Sequence, residues 1–232
     1  MNMKTALLAG ATGLVGGHLL HHLLDMGDYE QVTILIRKPL ELQHPKLRQV
    51  VVDFDQLDQY REYFEVDDMY CCLGTTIKKA GSQAAFRKVD YEYPLQIAKL
   101  AHSKGANKLI MVTSIGANAQ SAFFYTRVKG EVEAAILRVG LPSVHFLHPS
   151  QLLGARQEQR PAEKVAIVLS PLLKLFTRGK WSKYTPIQAQ DVALAMIGIG
   201  QYAPQGNHVY EYEQIMSFAH SCSSSFNGIN GS

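Results

Sequence analysis

The chain has 232 residues, of which 47% are hydrophobic and 19% are charged, and its formal net charge is +3 at pH 7. This balance is typical of a globular protein and argues against disorder, and so small a charge gives no reason to expect a nucleic-acid partner. No apolar run reaches the roughly 18 residues that span a bilayer, and a strand pattern begins within the first few residues, so neither a transmembrane segment nor a signal peptide is expected.

The first motif is a strand followed by a glycine turn and a helix. An apolar run over residues 5–9 leads into Gly10, Gly13 and Gly16, and leucines at helical spacing follow at once. Such a turn lets the backbone approach a diphosphate, and it directs the N–H groups of the helix N-terminus toward the anion. The spacing G-x-x-G-x-x-G therefore predicts a dinucleotide-binding turn, with a plain glycine-rich turn as the alternative.

Two basic residues, Arg37 and Lys38, follow the second predicted strand, residues 31–36. Proteins that bind NAD commonly carry an acidic residue in this region, which contacts the ribose 2′-hydroxyl. A guanidinium can instead pair with a 2′-phosphate through its planar array of donors. Arg37 therefore predicts NADP(H), and an ordinary solvated pair of cations is the alternative.

Strands and helices alternate along the rest of the chain. Further strands are predicted at residues 49–53, 68–73, 108–113 and 143–147, with helical patterns at 57–64 and at 84–102, where Pro94 is expected to interrupt the helix. This alternation predicts an α/β fold with a Rossmann-type doubly wound parallel sheet. Ligands bind beyond the carboxyl ends of such strands. The residues expected at that rim are Gly10, Arg37, Asp53, Gly74 and Ser114.

The predicted organisation is one NAD(P)-binding domain over residues 1–220, with a small substrate-side extension from about residue 150. Residues 162–176 form an amphipathic pattern that suits a core helix, a substrate lid, a dimer face or a membrane-surface helix. Residues 221–232 are rich in Ser, Gly and Asn and lack an apolar period, which predicts a disordered tail. The three cysteines suit a reducing cytoplasm, and Cys71 and Cys72, inside an apolar run, are expected to be buried, with a redox role as the alternative.

Tyr125 and Lys129 form the pattern Y-x-x-x-K, and residues four apart lie on one face of a helix. A free tyrosine has a pKa of about 10 and is a poor acid or base at neutral pH, whereas a neighbouring ammonium favours the phenolate. Ser114, at the end of a predicted strand, could hold a carbonyl or alcohol beside the phenol. The three residues predict acid–base catalysis, with a surface Tyr–Lys pair as the alternative.

The sequence resembles the atypical short-chain dehydrogenase/reductases, in particular the Tat-interacting-protein-like oxidoreductase group. The motifs that carry the resemblance are GATGLVG (10–16), VVDF (51–54), CCLGTT (71–76), VDYEY (89–93), SIGA (114–117), YTRVKGEVE (125–133) and RQEQRP (156–161). Two positions depart from many relatives. Asp90 stands where they carry Asn, and His148 stands where others carry Arg.

The resemblance implies a set of cofactor contacts. The diphosphate would lie against Gly10, Thr12, Gly13, Leu14 and Val15, and the 2′-phosphate against Arg37. Asp53 and Phe54 would lie near the adenine, and Leu73, Gly74 and Thr75 along the path of the ribose and diphosphate. The backbone around Leu152 would close over the nicotinamide, which Tyr125 and Lys129 would also approach. Ser114, Tyr125 and Lys129 match the catalytic residues of the family.

Together these patterns predict an NADP(H)-dependent oxidoreductase that acts on a small carbonyl or alcohol. No metal site is expected, and a homodimer is an open alternative for the assembly. An NADPH-binding sensor or regulatory protein with little turnover is the second hypothesis. A nucleotide-sugar epimerase is the third.

Overall fold

A computed structural model describes the backbone of residues 3–154 and 184–229, and the side chains of the second segment up to Ser223. Seven strands form one sheet: β1 (Lys4–Ala9), β2 (Tyr29–Ile36), β3 (Leu47–Val51), β4 (Asp68–Cys71), β5 (Lys108–Val112), β6 (Ser143–Leu147) and β9 (Gly206–Tyr210). Two short strands, β7 (Leu152–Leu153) and β8 (Ile187–Gln188), form a separate parallel pair.

The order across the large sheet is β3-β2-β1-β4-β5-β6-β9, and every neighbouring pair is parallel. From the boundary between β1 and β4 the chain order runs outward in both directions, as β1, β2 and β3 on one side and as β4, β5, β6 and β9 on the other. The connections after β1 and β4 therefore leave in opposite directions, and a crevice opens at the carboxyl ends of these two strands. This arrangement confirms the predicted Rossmann-type doubly wound sheet.

Helices cover both faces of the sheet. They are α1 (Leu14–Asp25), α2 (Ile77–Ala80), α3 (Gln83–Arg87), α4 (Tyr93–Ser103), α5 (Phe124–Leu137), α6 (Ala189–Tyr202) and α7 (Tyr212–Ile229), together with a 3₁₀ helix at Phe54–Phe64 and a π turn at Lys88–Glu92. One apolar core joins the sheet to α1, α6 and α7, and the other joins it to the 3₁₀ helix, α4 and α5. Leu7 and Leu8 of β1 are both fully buried, one in each core, because successive strand residues point to opposite faces.

Pro94 does not interrupt the helix that contains it. It lies in the first turn of α4, where a missing N–H is tolerated. The break comes before Pro94, at the π turn, where the N–H of Tyr93 donates to the carbonyl of Lys88.

The C-terminal region differs from its predictions. Helix α7 continues to Ile229, through most of the segment for which disorder is predicted, and Cys222 is 1% exposed. The reason is that Ile215, Ala219 and Cys222 recur at helical spacing and are all buried against the α1–α6 core. Strand β9 is an addition that the sequence patterns do not indicate. The motif at 156–161 and the amphipathic pattern at 162–176 lie outside the described residues.

Over residues 3–154 and 184–229, no helix has the length and apolar character needed to cross a membrane.

Candidate functional site

The glycine turn after β1 lies directly against the end of β4. Gly10 has a φ of +91°, and a Cβ there would lie 2.6 Å from the carbonyl carbon of Cys72. Only glycine satisfies both the positive φ and this close approach. The turn is therefore held at the crevice between β1 and β4, where dinucleotides bind in this fold.

Helix α1 begins at this turn with a favourable end for an anion. Its N-cap residue, Gly13, makes no side-chain cap, and the first turn contains no acidic residue. Thr12 and Gly13 are exposed, Leu14 is half-buried, and Val15 is buried. The first N–H groups of a helix lack partners within the helix, so this end of α1 can accept a phosphate.

Arg37 and Lys38 follow β2 and are exposed. Within the described parts of the chain, neither residue takes part in an ion pair. Among the described residues, no carboxylate therefore competes with an anion for these two cationic groups.

Asp53 has a structural contact of its own. Its Oδ1 accepts the N–H of Asp55 at 2.9 Å, and its Oδ2 accepts the side-chain amide of Gln56 at 3.0 Å. The carboxylate therefore caps the 3₁₀ helix. The next residue, Phe54, packs its ring 5.4 Å from that of Tyr93.

Backbone from Leu73 to Thr75 continues β4 over the rim, and a buried carboxylate holds it there. The N–H of Thr75 donates to Oδ2 of Asp90 at 2.9 Å. A Cβ on Gly74 would lie 3.5 Å from Oδ1 of Asp90 and 3.6 Å from Nζ of Lys129. The path predicted for the cofactor therefore passes directly over these two charged groups.

Lys129 is buried, whereas Tyr125 is 37% exposed on the same face of α5. Nζ of Lys129 lies 2.8 Å from Oδ1 of Asp90. Burial lowers the pKa of Lys129, but the Asp90 carboxylate and then Tyr125 raise it, and the net direction is upward. The ammonium form is therefore favoured at neutral pH.

Ser114 lies at the carboxyl end of β5 and is 7% exposed. Its Oγ is buried and has no hydrogen-bond partner within the described parts of the chain. Because buried polar atoms are nearly always paired, this hydroxyl is suited to a ligand oxygen.

The loop after Ser114 packs tightly on α5 through Gly130. A Cβ at this position would lie 2.2 Å from the amide nitrogen of Ala119 and from the carbonyl carbon of Asn118. The N–H of Asn118 also donates to the carbonyl of Thr126 at 3.0 Å. Gly130 therefore permits the contact that joins the Ser114 loop to the helix of Tyr125 and Lys129.

Glu133 is a site residue that the sequence patterns do not single out. It is buried and accepts hydrogen bonds from Thr113 and from Nε2 of His148, the latter at 2.8 Å. These contacts tie α5 to the ends of β5 and β6. The signal in the sequence is the repeat of the four-residue spacing from Tyr125 through Lys129 to Glu133.

Leu152 lies two residues before Gly154, which packs against the start of α1. A Cβ on Gly154 would lie 3.0 Å from Cδ1 of Leu14. Leu152 itself is half-buried and pairs with Ile187. The segment predicted to close over the nicotinamide therefore contacts Leu14 in the first turn of α1.

The adjacent free cysteines Cys71, which is buried, and Cys72, which is half-buried, are suited to packing rather than to reaction. Burial raises the pKa of Cys71 to about 11 and raises that of Cys72 well above its usual value. A groove of ≈ 510 Å³ lies elsewhere, between α4 and α5, and is lined by Tyr91, Leu95, Lys99, His102, Ala135, Arg138 and Val139. It includes none of the proposed catalytic side chains.

Comparison with known proteins identifies the family of this chain. A family model described as NAD(P)H-binding matches residues 10–141. The protein HTATIP2 of Rattus norvegicus is 38% identical over 170 residues, which cover 72% of this chain and 70% of that protein. The Candida albicans protein FMP52, named as mitochondrial, is 30% identical over 211 residues, which cover 88% of this chain and 90% of that protein.

Solved structures share the fold at low sequence identity. MoeE5 in complex with UDP-glucose and NAD has a TM-score of 0.67 and 16% identity, over 95% of this chain and 82% of that one. UDP-glucose 4-epimerase from Thermotoga maritima, with UDP-glucose, has a TM-score of 0.68 and 15% identity, over 94% and 82% of the two chains. Identity at this level supports the Rossmann-type architecture alone.

Proposed function

The chain belongs to the NAD(P)H-binding family, in the atypical short-chain dehydrogenase/reductase group, and on that premise we propose that it is an NADP(H)-dependent oxidoreductase of a small carbonyl or alcohol. The observation that carries the proposal is the buried, unpartnered hydroxyl of Ser114, on a loop packed against the helix of Tyr125 and Lys129. Ser114 follows β5 and the Gly10 turn follows β1, so both lie at the carboxyl ends of parallel strands of one sheet, on the side where α1 begins.

The residues present at the rim fit a dinucleotide. The turn at Gly10 leaves room for close backbone approach, and the first turn of α1 presents N–H groups without a capping side chain or an acidic residue. We propose that the diphosphate is held by Gly10, Thr12, Gly13, Leu14 and Val15. The remaining proposed contacts are Asp53, Phe54, Leu73, Gly74, Thr75 and Leu152.

Arg37 supports NADP(H) as the preferred cofactor. Its guanidinium is exposed and has no ion-pair partner in the described residues. The nearby Asp53 has both carboxylate oxygens engaged in capping, so it is poorly placed to serve as the ribose-binding acid of an NAD site. A free guanidinium suits a 2′-phosphate.

When bound, NADP(H) supplies the hydride donor or acceptor. The proposed role of Tyr125 is to give a proton to the substrate oxygen during reduction and to take it back during oxidation. Ser114 donates a hydrogen bond to the same oxygen and fixes its position. Lys129, on the same face of α5 as Tyr125, is proposed to hold its ammonium beneath these two residues, paired with the carboxylate of Asp90.

The test is Tyr125→Phe, which removes the proton-transferring hydroxyl and keeps the ring packed against Phe86. We expect NADPH affinity to be unchanged and turnover to fall by about 10²-fold or more. NADPH consumption is measured across a panel of small carbonyl compounds, and Tyr202→Phe, at a tyrosine that is 61% exposed, is the control.

Unchanged turnover in Tyr125→Phe would contradict the proposed mechanism. NADPH binding by the wild type, without consumption on any compound of the panel, would instead favour the sensor.

Location and domain extent are also proposals. The free thiols of Cys71, Cys72 and Cys222 support a reducing compartment such as the cytoplasm. The name of the Candida albicans relative includes the word mitochondrial, and fractionation of cells distinguishes the two locations for this chain. Because β9 lies in the same sheet as β1, we propose one domain that extends at least to residue 220.

A further inference from the structure

Asp90 is a buried carboxylate beneath the rim that the proposed cofactor and catalytic contacts do not use. It is 0% exposed. Oδ2 accepts the N–H of Thr75, and Oδ1 lies 2.8 Å from Nζ of Lys129, with no other polar partner in the described residues. Oδ1 is therefore held by the ammonium alone.

The π turn places Asp90 at this position. It lies between α3 and α4, and its wider hydrogen-bond spacing shifts the helical register before α4 begins. Such turns are frequent at functional sites, because they redirect a side chain at a cost in local stability. Here the redirected side chain meets Lys129 across the interface with α5.

The pair carries no net charge. The titratable groups that face Lys129 are Asp90 from the π turn, Tyr125 from α5 and Cys71 from β4. Cys71 is neutral, because burial raises its pKa to about 11. Burial raises the pKa of Asp90, and the ammonium of Lys129 opposes that rise. A buried charge without a partner is strongly unfavourable, so carboxylate and ammonium stabilise each other as ions.

We propose that Asp90 is a positioning residue that holds Lys129 beneath Gly74 as half of an electroneutral pair, so that the site binds NADP⁺ and NADPH with similar affinity. The inference rests on the proposed function, because it takes the nicotinamide to lie near Lys129. The oxidised nicotinamide ring carries a positive charge that the reduced ring lacks. An unpaired ammonium nearby would repel the oxidised form selectively.

The test uses Asp90→Asn, which keeps an oxygen acceptor for the N–H of Thr75 but removes the negative charge. We expect the ratio of Kd for NADP⁺ to Kd for NADPH to rise about three- to tenfold over the wild type at about pH 6. The rise should diminish toward about pH 9, because burial lowers the pKa of a lysine without a partner. Calorimetric titration of both cofactors gives the ratio, which should change little with pH in the wild type.

A second single variant gives the opposite shift. Lys129→Met leaves the carboxylate without its cation, and because burial raises the pKa of Asp90, the ratio should fall below the wild-type value at about pH 9 and much less at about pH 6. The double variant Asp90→Asn/Lys129→Met removes both charges and should restore it. If Asp90→Asn does not fold, the test is the fall of the ratio in Lys129→Met and its return to the wild-type value in the double variant. The exposed Asp58→Asn is the matched control and should leave the ratio unchanged.

A ratio that matches the wild type in both single variants, with NADPH still bound, would overturn the inference and leave the proposed function standing. Failure of the wild type to bind NADPH would overturn the proposed function itself, and the inference with it.

Discussion

Within the described residues, the amino edge of the sheet, where the strands begin, leaves no buried side-chain polar atom unpaired, whereas the carboxyl edge, where the strands end, leaves a buried hydroxyl without a partner. At the amino edge, Tyr29 donates to Asp68 at 2.8 Å and lies 2.9 Å from the hydroxyl of Tyr70. Lys4 pairs with the same carboxylate at 3.2 Å. At the carboxyl edge, the hydroxyl of Ser114 is buried without a partner in the described residues.

The difference indicates where the chain stabilises itself and where it leaves capacity for a ligand. Burial raises the pKa values of Tyr29 and Tyr70 well above the usual value, so both phenols remain protonated and act as donors in a closed network. A closed network supports stability, whereas an unpaired buried group is unfavourable until a ligand satisfies it. Mutations at the two edges should therefore affect different measurements.

Tyr29→Phe should produce the largest loss of stability. It removes the bond to Asp68 and leaves the hydroxyl of Tyr70 without its partner, so the free energy of unfolding should fall by about 2 kcal/mol, with NADPH affinity unchanged. Urea denaturation measures the first quantity and calorimetry the second. The exposed Tyr202→Phe should change stability by less than about 0.5 kcal/mol. Stability equal to that of the wild type would show that the amino-edge network contributes nothing.

Two serine variants sharpen the comparison with the same chemical change at opposite edges. Ser143, the first residue of β6, lies 2.8 Å from Nε2 of His145 and donates to the carbonyl of Gly206 at 3.2 Å. Ser143→Ala should lower the free energy of unfolding by about 1 kcal/mol, whereas Ser114→Ala should change it by less than about 0.5 kcal/mol.

Turnover, in contrast to stability, should be lowered by Ser114→Ala and not by Ser143→Ala. Ser114→Ala should reduce NADPH consumption by roughly ten- to hundredfold, because the substrate oxygen loses a donor. Ser143→Ala should leave it unchanged. Equal loss of stability in both variants would remove the distinction between the edges.

Much of the fold could be predicted because the central strands are buried on both faces. Such strands read as largely apolar runs, and the pattern predicts β6, Ser143–Leu147, with the bounds that the structure shows. Strand β9 could not be found in this way. It contains Gly206, Asn207 and His208, and its burial alternates along the edge of the sheet.

The site was predictable where a motif has a fixed spacing and not where distant elements meet. The spacing of Tyr125 and Lys129 places both on one face of α5. The partner of Lys129 depends on a π turn that the sequence does not reveal, so Asp90 is visible in the sequence only as a departure from relatives. Gly130 and Glu133 lie inside a recognised motif, but their contacts with the Ser114 loop and with His148 require the fold.

The most direct test of the account is the affinity of the purified chain for NADPH and for NADH, measured by calorimetry in the wild type and in Arg37→Ser. We predict that the wild type binds NADPH about tenfold more tightly, and that Arg37→Ser weakens NADPH alone, because only the 2′-phosphate contacts the guanidinium. The exposed Arg61→Ser is the control and should preserve the preference. Equal wild-type affinities, or an Arg37→Ser variant that weakens both cofactors equally, would contradict the account.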